Sequence, residues 1–272
     1  MHRRRPNMTT DFARPYQKPG ERLEDLGLDG LYILQDPDAF RFNIDSVLLA
    51  WYAAPAVHRK TRTLDIGTGT GVLPLLLYGR THTQSIDAIE IQPAMADMAS
   101  RSVAMNHLEE VIRIHEGDIR NEPGTALVRG AYDVVVTNPP YMPKGRGGVN
   151  PDRALALARH EITCTLDDVA AAAQALLKDR GRLFMVHRAE RLVDLCAVLR
   201  AHQLEVKRVR GVQPFPDKPA NQILLQAVKR GHPGAIVEPP LSIYQSPGVY
   251  SAEINAIYGT DGPTSKNTDS FI

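Results

Sequence analysis

Strand-like runs alternate with helix-like patterns between Thr63 and Val186, and this alternation limits the fold more than any other feature of the chain. The runs are short and rich in β-branched residues, and 132–137 is continuous enough to be buried on both faces of a sheet. Because parallel strands need helical crossovers, this order predicts βαβ units and a mostly parallel sheet covered on both faces. Two later runs, 204–212 and 222–228, predict a C-terminal antiparallel hairpin.

The segments on either side of the alternation predict one domain with irregular ends. Residues 1–28 contain many turn-forming residues and predict a flexible lead-in. Residues 29–259 predict a single domain, in which 29–60 form an N-terminal hairpin (31–35 with 39–42) and a helix. The polar residues 260–272 predict a disordered tail.

Composition excludes several classes of protein. The chain is 43% hydrophobic and 23% charged and has two cysteines, unlike collagen, a disordered chain or a disulfide-stapled domain. No stretch reaches the roughly 18 apolar residues of a membrane helix, and the basic N-terminus lacks the apolar region of a secretory signal. No pair of histidines has the spacing of metal ligands. We therefore expect a cytoplasmic protein that uses neither a membrane nor a metal. Composition leaves the oligomeric state open, and a monomer is the default expectation.

A glycine-rich loop lies between a predicted strand and an apolar helix. It contains Asp65 and three glycines at alternate positions, Gly67, Gly69 and Gly71. Glycines permit a tight turn and a close approach of ligand to backbone, and the helix start favours an anion. The loop lacks both the third glycine of the dinucleotide fingerprint and the lysine of a Walker loop. It resembles the first motif of Rossmann-like S-adenosylmethionine methyltransferases, which implies that it faces the methionine part of that cofactor.

Two further acids follow the next two predicted strands. Glu90 comes 19 residues after Gly71, and its carboxylate can accept both hydroxyls of a ribose. Asp118 can accept a hydrogen bond from an adenine amino group. Because the carboxyl ends of parallel strands meet at one edge, where open α/β sheets bind ligands, these acids and the glycine loop predict one cofactor site.

The tetrapeptide Asn138-Pro139-Pro140-Tyr141 directly follows the predicted buried strand. A planar amino group is a poor nucleophile, but the carbonyls of Asn138 and Pro139 can accept its two hydrogens and direct its lone pair at a sulfonium methyl. Pro140 favours an extended Pro139, and Tyr141 offers a face on which a base can stack. The motif leaves open which nitrogen is methylated: adenine N6 of DNA or RNA, guanine N2 or glutamine N5.

Further segments carry a resemblance to one family. They are residues 40–50 (FRFNIDSVLLA), 158–161 (ARHE), 220–224 (ANQIL), 239–244, 250–254 and 257–259. With the glycine loop and the tetrapeptide, they make the chain similar to the bacterial tRNA1(Val) adenine-37 N6-methyltransferase family over about residues 21–259. The resemblance implies an α/β, Rossmann-like class I methyltransferase fold with a mostly parallel seven-stranded sheet and a C-terminal antiparallel hairpin.

The same resemblance implies a reaction and a set of site residues. The reaction is S-adenosylmethionine-dependent methylation of the adenosine 3′ of the anticodon of tRNA, at N6, which leaves S-adenosylhomocysteine. Catalysis is assigned to Asn138, Pro139, Pro140 and Tyr141. Cofactor binding is assigned to Asp65, Gly67, Gly69, Gly71, Glu90, Asp118 and Asn138, with Asn43 and Asp45 alongside, and RNA contact to Phe42, Arg159 and His160.

Charge and chain length bear on the alternatives. Between Lys178 and Arg230, basic residues outnumber acidic ones by 12 to 5, which can steer an RNA backbone or form an ordinary solvated surface. Glutamine methyltransferases acting on release factors share both motifs but usually carry a helical domain before the glycine loop, whereas 64 residues precede Asp65 here. An inactive RNA-binding protein is the other alternative, and an intact tetrapeptide with three acids disfavours it.

Overall fold

The computed structural model describes residues 10–37, 44–121, 126–139 and 164–259. Several predicted features lie outside the described residues: the strand at 39–42, the tail at 260–272, and the site residues Phe42, Asn43, Pro140, Tyr141, Arg159 and His160. The glycine loop, the acids and the first half of the tetrapeptide are all described.

The described chain alternates strands with helices, as the sequence predicts. The strands are β1 Arg22–Asp25, β2 Tyr32–Gln35, β3 Arg62–Ile66, β4 Ser85–Glu90, β5 Ile112–Glu116, β6 Tyr132–Thr137, β7 Leu177–Arg188, β8 Leu204–Gln213, β9 Gln222–Lys229, β10 Ile236–Ser242, β11 Tyr244–Ser246 and β12 Val249–Tyr250. The α-helices are α1 Ile44–Ala53, α2 Val72–Thr81, α3 Pro93–Met105, α4 Leu166–Leu176, α5 Leu192–Ala201 and α6 Ala252–Tyr258. Short 3-10 helices lie at Thr10–Ala13, Ala54–Ala56 and Ala189–Arg191.

Eight of these strands form one central sheet, in the order β10-β8-β9-β7-β6-β3-β4-β5. Strands β3 to β7 pair in parallel, and β9 lies antiparallel between β7 and β8. The predicted Rossmann-like sheet and C-terminal hairpin are therefore confirmed, but the predicted count of seven strands is one too low. Strand β10 adds in parallel beside β8, with a register shift at Pro239 and Pro240. Prolines disfavour a strand in sequence, yet an edge position tolerates them.

The core lies on both faces of the sheet, and β6 shows how the chain fills them. Val134 and Val136 pack into one cluster with residues of α1 and α2, whereas Val135 packs into the other with residues of α4 and α5. All three are almost fully buried. Because alternate side chains of a strand point to opposite faces, the continuous β-branched run is what a strand covered on both faces requires.

The structure shows an N-terminal hairpin that the sequence did not predict, whereas the predicted partner strand at 39–42 lies outside the described residues. Arg22–Asp25 form β1, antiparallel to β2, inside the segment predicted to be a flexible lead-in. This strand was missed because its sequence is polar and lacks an apolar alternation. Helix α3 orders the hairpin instead: the backbone N–H of Leu34 donates to Ser102 Oγ at 3.1 Å, and that of Tyr32 donates to Asn106 Oδ1 at 3.0 Å.

Arg101 of α3 anchors the same segment, and its loss should destabilise the fold. Its guanidinium donates to both carboxylate oxygens of Glu21, at 2.6 and 2.7 Å, and these side chains are only 17% and 10% exposed. We expect Arg101→Ala to lower the free energy of unfolding by about 2 kcal/mol, because Glu21 then loses its bidentate partner. Urea denaturation measures this loss. Arg101→Lys keeps the charge and should lose less; wild-type stability in the alanine variant would contradict the expectation.

Candidate functional site

The carboxyl ends of four neighbouring strands carry the predicted site residues to one edge of the sheet. Strands β6, β3, β4 and β5 are adjacent in that order. Asn138 follows β6, the glycine loop follows β3, Glu90 ends β4, and Asp118 lies two residues beyond β5. From β3 the chain continues to β4 on one side, whereas β6 lies on the other side. Such a reversal of strand order is where open α/β sheets bind ligands.

The glycine loop adopts a backbone that other residues resist. Gly67, Gly69 and Gly71 have φ angles of +73°, +57° and +87°, all in the left-handed region. A Cβ on Gly71 would also lie 3.2 Å from Cβ of Ala99 in α3. Glycine is therefore required at position 71 both for conformation and for close packing of the loop against α3.

Glu90 braces this loop with both of its carboxylate oxygens. Oε2 accepts the N–H of Gly69 at 2.8 Å, and Oε1 accepts the N–H of Gln92 at 3.0 Å. The residue is 5% exposed. Gln92 Nε2 also donates to Oε1, at 3.4 Å. A carboxylate has about four acceptor positions, so one remains for a ribose hydroxyl, and a second becomes available if the long Gln92 side-chain bond is replaced.

Asp65 is a wholly buried acid directly below the loop. Among the described residues, neither of its carboxylate oxygens has a hydrogen-bond partner. Burial raises the pKa of Asp65 to about 7, and the negative charge of Glu90 adds to this rise. The nearby Thr68 hydroxyl opposes the rise, although it does not reach hydrogen-bond geometry. A buried carboxyl of this kind gains most from a cationic group placed beside it.

Asp118 stands at the predicted position but already has a partner. Both of its oxygens accept hydrogen bonds from the Arg120 guanidinium, which lowers the pKa of Asp118. The preceding residue, Gly117, donates its N–H to the backbone oxygen of Glu90 at 2.9 Å, which fixes this turn beside β4. The predicted adenine acceptor is therefore an ionised, pre-oriented carboxylate.

Asn138 lies beside the glycine loop and contacts the start of α1. Its Nδ2 donates to Ser46 Oγ at 3.2 Å, and its side chain is half-buried, as is Pro139. The preceding Thr137 donates its hydroxyl to the backbone oxygen of Ile66 at 2.9 Å, across to β3. The chain carrying Asn138 is thus tied to the strand that carries the loop.

Two residues outside the predicted set also reach the site. Gln35, at the end of β2, donates from Nε2 to Thr70 Oγ1 of the glycine loop at 2.8 Å, and Ser46 accepts from Asn138. The predicted Asp45 is 1% exposed. Burial raises the pKa of Tyr258 in α6, and the nearby charge of Asp45 adds a smaller increase. Ser46 could have been found as the polar neighbour of Asp45 in an apolar helix; nothing in the sequence singles out Gln35.

Comparisons with known sequences identify the family. A family model described as the methyltransferase small domain matches residues 45–210. The tRNA1(Val) (adenine(37)-N6)-methyltransferase of Porphyromonas gingivalis is 33% identical over 222 residues, covering 79% of this chain and 86% of the relative. The chain belongs to the tRNA1(Val) (adenine(37)-N6)-methyltransferase family. The Yersinia pseudotuberculosis member (strain YPIII) is 31% identical over 228 residues, covering 82% of this chain and 85% of its own. The predicted family is confirmed.

Solved structures share the fold of this family member. A predicted O-methyltransferase from Agrobacterium tumefaciens superposes with a TM-score of 0.64 at 18% identity, covering 80% of this chain and 97% of the other. The M. jannaschii TYW2 protein, solved in complex with AdoMet, has a TM-score of 0.52 at 15% identity, covering 78% and 87%. The predicted methyltransferase fold is confirmed.

Ion pairs reduce the basic excess of this family member without removing it. Of its twelve Lys and Arg residues between 178 and 230, seven form ion pairs: Lys178, Arg191, Arg200, Arg208, Arg210, Lys218 and Arg230. Four of their acidic partners already belong to the five acids of this segment, so only Asp133, Glu238 and Glu253 lower the excess, from seven to four. Within the described ranges, no helix is long and apolar enough to cross a membrane, and no His, Cys, Asp or Glu cluster suits a metal ion.

Proposed function

We propose that the protein transfers the methyl group of S-adenosylmethionine to N6 of adenosine 37 in tRNA1(Val) and releases S-adenosylhomocysteine. The observation that carries this proposal is the placement of Asn138 beside the glycine loop at the carboxyl edge of the sheet, in a chain of this family. When bound, the cofactor supplies an electrophilic methyl group on a sulfonium.

The residues at the edge fit such a cofactor. Asp65 is a buried carboxyl with unused acceptor positions among the described residues, and the methionine part of the cofactor carries a positive charge. The backbone of Gly67, Gly69 and Gly71 lines the approach to this part. Glu90 takes the ribose hydroxyls and Asp118 the adenine amino group, because these carboxylates follow the next two strands in order.

Asn138 and Pro139 make the acceptor nitrogen reactive. Their carbonyl oxygens accept the two hydrogens of the adenine amino group and hold its nitrogen lone pair toward the methyl carbon. The N–C bond forms as the S–C bond breaks, and the nitrogen then releases a proton to solvent. No strong base is needed beforehand, because the nitrogen becomes acidic only after methyl transfer. Pro140 stiffens the turn and Tyr141 stacks on the target base.

The remaining predicted contacts complete the proposal. Asn43 and Asp45 bind the cofactor. Phe42, Arg159 and His160 contact the RNA. The protein acts as a monomer in the cytoplasm and needs no metal.

Methyl transfer to defined acceptors tests the function. The protein is mixed with cofactor bearing a labelled methyl group and with unmodified tRNA1(Val), a matched transcript with guanosine at position 37, or a translation release factor. We expect label in the first tRNA only, recovered as N6-methyladenosine after digestion to nucleosides. Label in the release factor alone would instead favour glutamine methylation, and label in none of the three would refute the proposal.

Cofactor affinity should depend on pH through Asp65. Its pKa of about 7 leaves the carboxyl protonated at pH 6, whereas a cationic ligand favours the carboxylate. Binding then releases a proton, so affinity rises with pH up to about 7 and levels off above it. We expect the Kd for S-adenosylmethionine to be about tenfold higher at pH 6 than at pH 8, as measured by calorimetry.

Asp65→Asn is the matched control for this dependence. The amide does not titrate, so its Kd should be nearly the same at both pH values. A wild-type Kd that is the same at pH 6 and pH 8 would contradict the role assigned to Asp65.

The raised pKa of Asp65 also predicts that the unliganded wild type loses stability as pH rises from about 4 to about 7. In this range folded Asp65 retains a proton that the unfolded chain releases.

A further inference from the structure

The structure assigns Ser46 as a positioning residue that orients the amide of Asn138. Ser46 lies in the first turn of α1, is 3% exposed, and accepts a hydrogen bond from Asn138 Nδ2 at 3.2 Å. The two residues are 92 positions apart in the chain. This inference rests on the proposed function, in which Asn138 holds the acceptor amino group.

The reaction depends on which end of the amide faces the substrate. An asparagine amide carries an acceptor oxygen and a donor nitrogen of nearly the same shape. Only the oxygen can accept a hydrogen from an amino group; rotation of the amide by half a turn would set two donors against each other. In the structure the Ser46 hydroxyl accepts from Nδ2, an arrangement in which the carbonyl oxygen is the end that meets the substrate.

The surroundings of Ser46 hold it rigidly in place. Its helix buries Val47, Leu48 and Leu49 in the core below the sheet edge. The neighbouring Asp45 is buried within electrostatic range of Tyr258 in α6. Because the helix is fixed on several sides, the Ser46 hydroxyl offers Asn138 a stationary partner rather than a mobile one.

The buried hydroxyl of Ser46 is unusual in this otherwise apolar helix. Apart from Tyr52, the only side chains with hydrogen-bonding groups that α1 buries are Asp45 and Ser46, both in its first turn. A buried hydroxyl without a partner costs free energy, and an alanine would pack at this position without that cost. The hydrogen bond from Asn138 accounts for the serine.

Kinetics of Ser46→Ala test the assignment. We expect kcat for tRNA methylation to fall about tenfold, the size expected for one lost positioning hydrogen bond. The KM for tRNA, the Kd for S-adenosylmethionine and the melting temperature should stay close to wild type. Ser46→Thr, which keeps the hydroxyl, should restore most of the rate. Ser100→Ala, a matched change in an exposed turn of α3, should leave kcat unchanged.

A double-mutant cycle separates positioning from a structural role. In an Asn138→Ala background, the change Ser46→Ala should lower the residual rate by less than about twofold, because the amide that it orients is gone. A tenfold loss that persists there would show that Ser46 acts through the fold and would overturn the inference. Full activity of Ser46→Ala alone, with Asn138→Ala inactive, would overturn it while leaving the proposed function intact. A wild type inactive on every acceptor would refute both.

Discussion

Asn138→Ala is expected to lower kcat for methyl transfer to tRNA by about 100- to 1000-fold. The amide lies beside the glycine loop at the carboxyl end of β6, and its carbonyl is one of two acceptors that direct the nitrogen lone pair. Without it, the adenine amino group keeps its lone pair delocalised into the ring and loses one of the two acceptors that direct it toward the methyl group. Single-turnover transfer of a labelled methyl group measures the loss.

Binding measurements separate this chemical role from a loss of structure. The Kd of Asn138→Ala for S-adenosylmethionine should change by less than about tenfold, because Asp65 and Glu90 remain. Asn138→Asp keeps an acceptor oxygen and should lose less activity than the alanine variant. Asn255→Ala, an exposed position in α6, serves as the matched control and should behave as wild type. Full activity of Asn138→Ala would remove Asn138 from the mechanism.

Glu90→Gln is expected to weaken cofactor binding about 100-fold, equivalent to about 2.7 kcal/mol. Both oxygens of Glu90 accept backbone N–H groups, from Gly69 at 2.8 Å and from Gln92 at 3.0 Å. An amide at this position must turn its own NH2 toward one of these donors, so the loop loses one brace whichever way the amide rotates. The ribose loses an ionised acceptor as well, and hydrogen bonds to charged groups are the stronger ones.

The neighbouring strand supplies a matched control for this change. Glu116 ends β5 just as Glu90 ends β4, but it is exposed. Glu116→Gln should therefore change the Kd for S-adenosylmethionine by less than about twofold, as measured by calorimetry beside Glu90→Gln. If the two variants bound the cofactor equally well, Glu90 would be neither a ribose ligand nor a brace of the loop.

Local sequence signals predicted most of the site. The order of the glycine loop, Glu90, Asp118 and Asn138 along the chain predicted that they meet at one sheet edge, and they follow four adjacent strands. The roles of these residues stay predictions until the variants are measured. Positions in 38–43 and 140–163 lie outside the described residues, so the placements predicted for Phe42, Asn43, Pro140, Tyr141, Arg159 and His160 also stay predictions.

Errors arose where tertiary contacts outweighed local preference. Strand β10 contains Pro239 and Pro240, which disfavour a strand, yet it adds to the exposed edge beside β8. Strand β1 is polar, yet its hairpin is held by backbone N–H groups of β2 that donate to Ser102 in α3 and to Asn106 directly after it. The basic excess after Lys178 was counted along the sequence, whereas the fold also brings three acids from outside that segment, Asp133, Glu238 and Glu253, into ion pairs with it.

The sequence by itself determined the βαβ order, the turn at Gly67–Gly71 and the chemical character of each strand end. These follow from side-chain period and backbone freedom, which act over a few residues. Only the tertiary structure decided that Gln35 holds Thr70 and that Ser46 holds Asn138, pairs separated by 35 and 92 residues. A hydrogen bond between side chains so far apart depends on how whole elements pack, and no pattern within either segment encodes its partner.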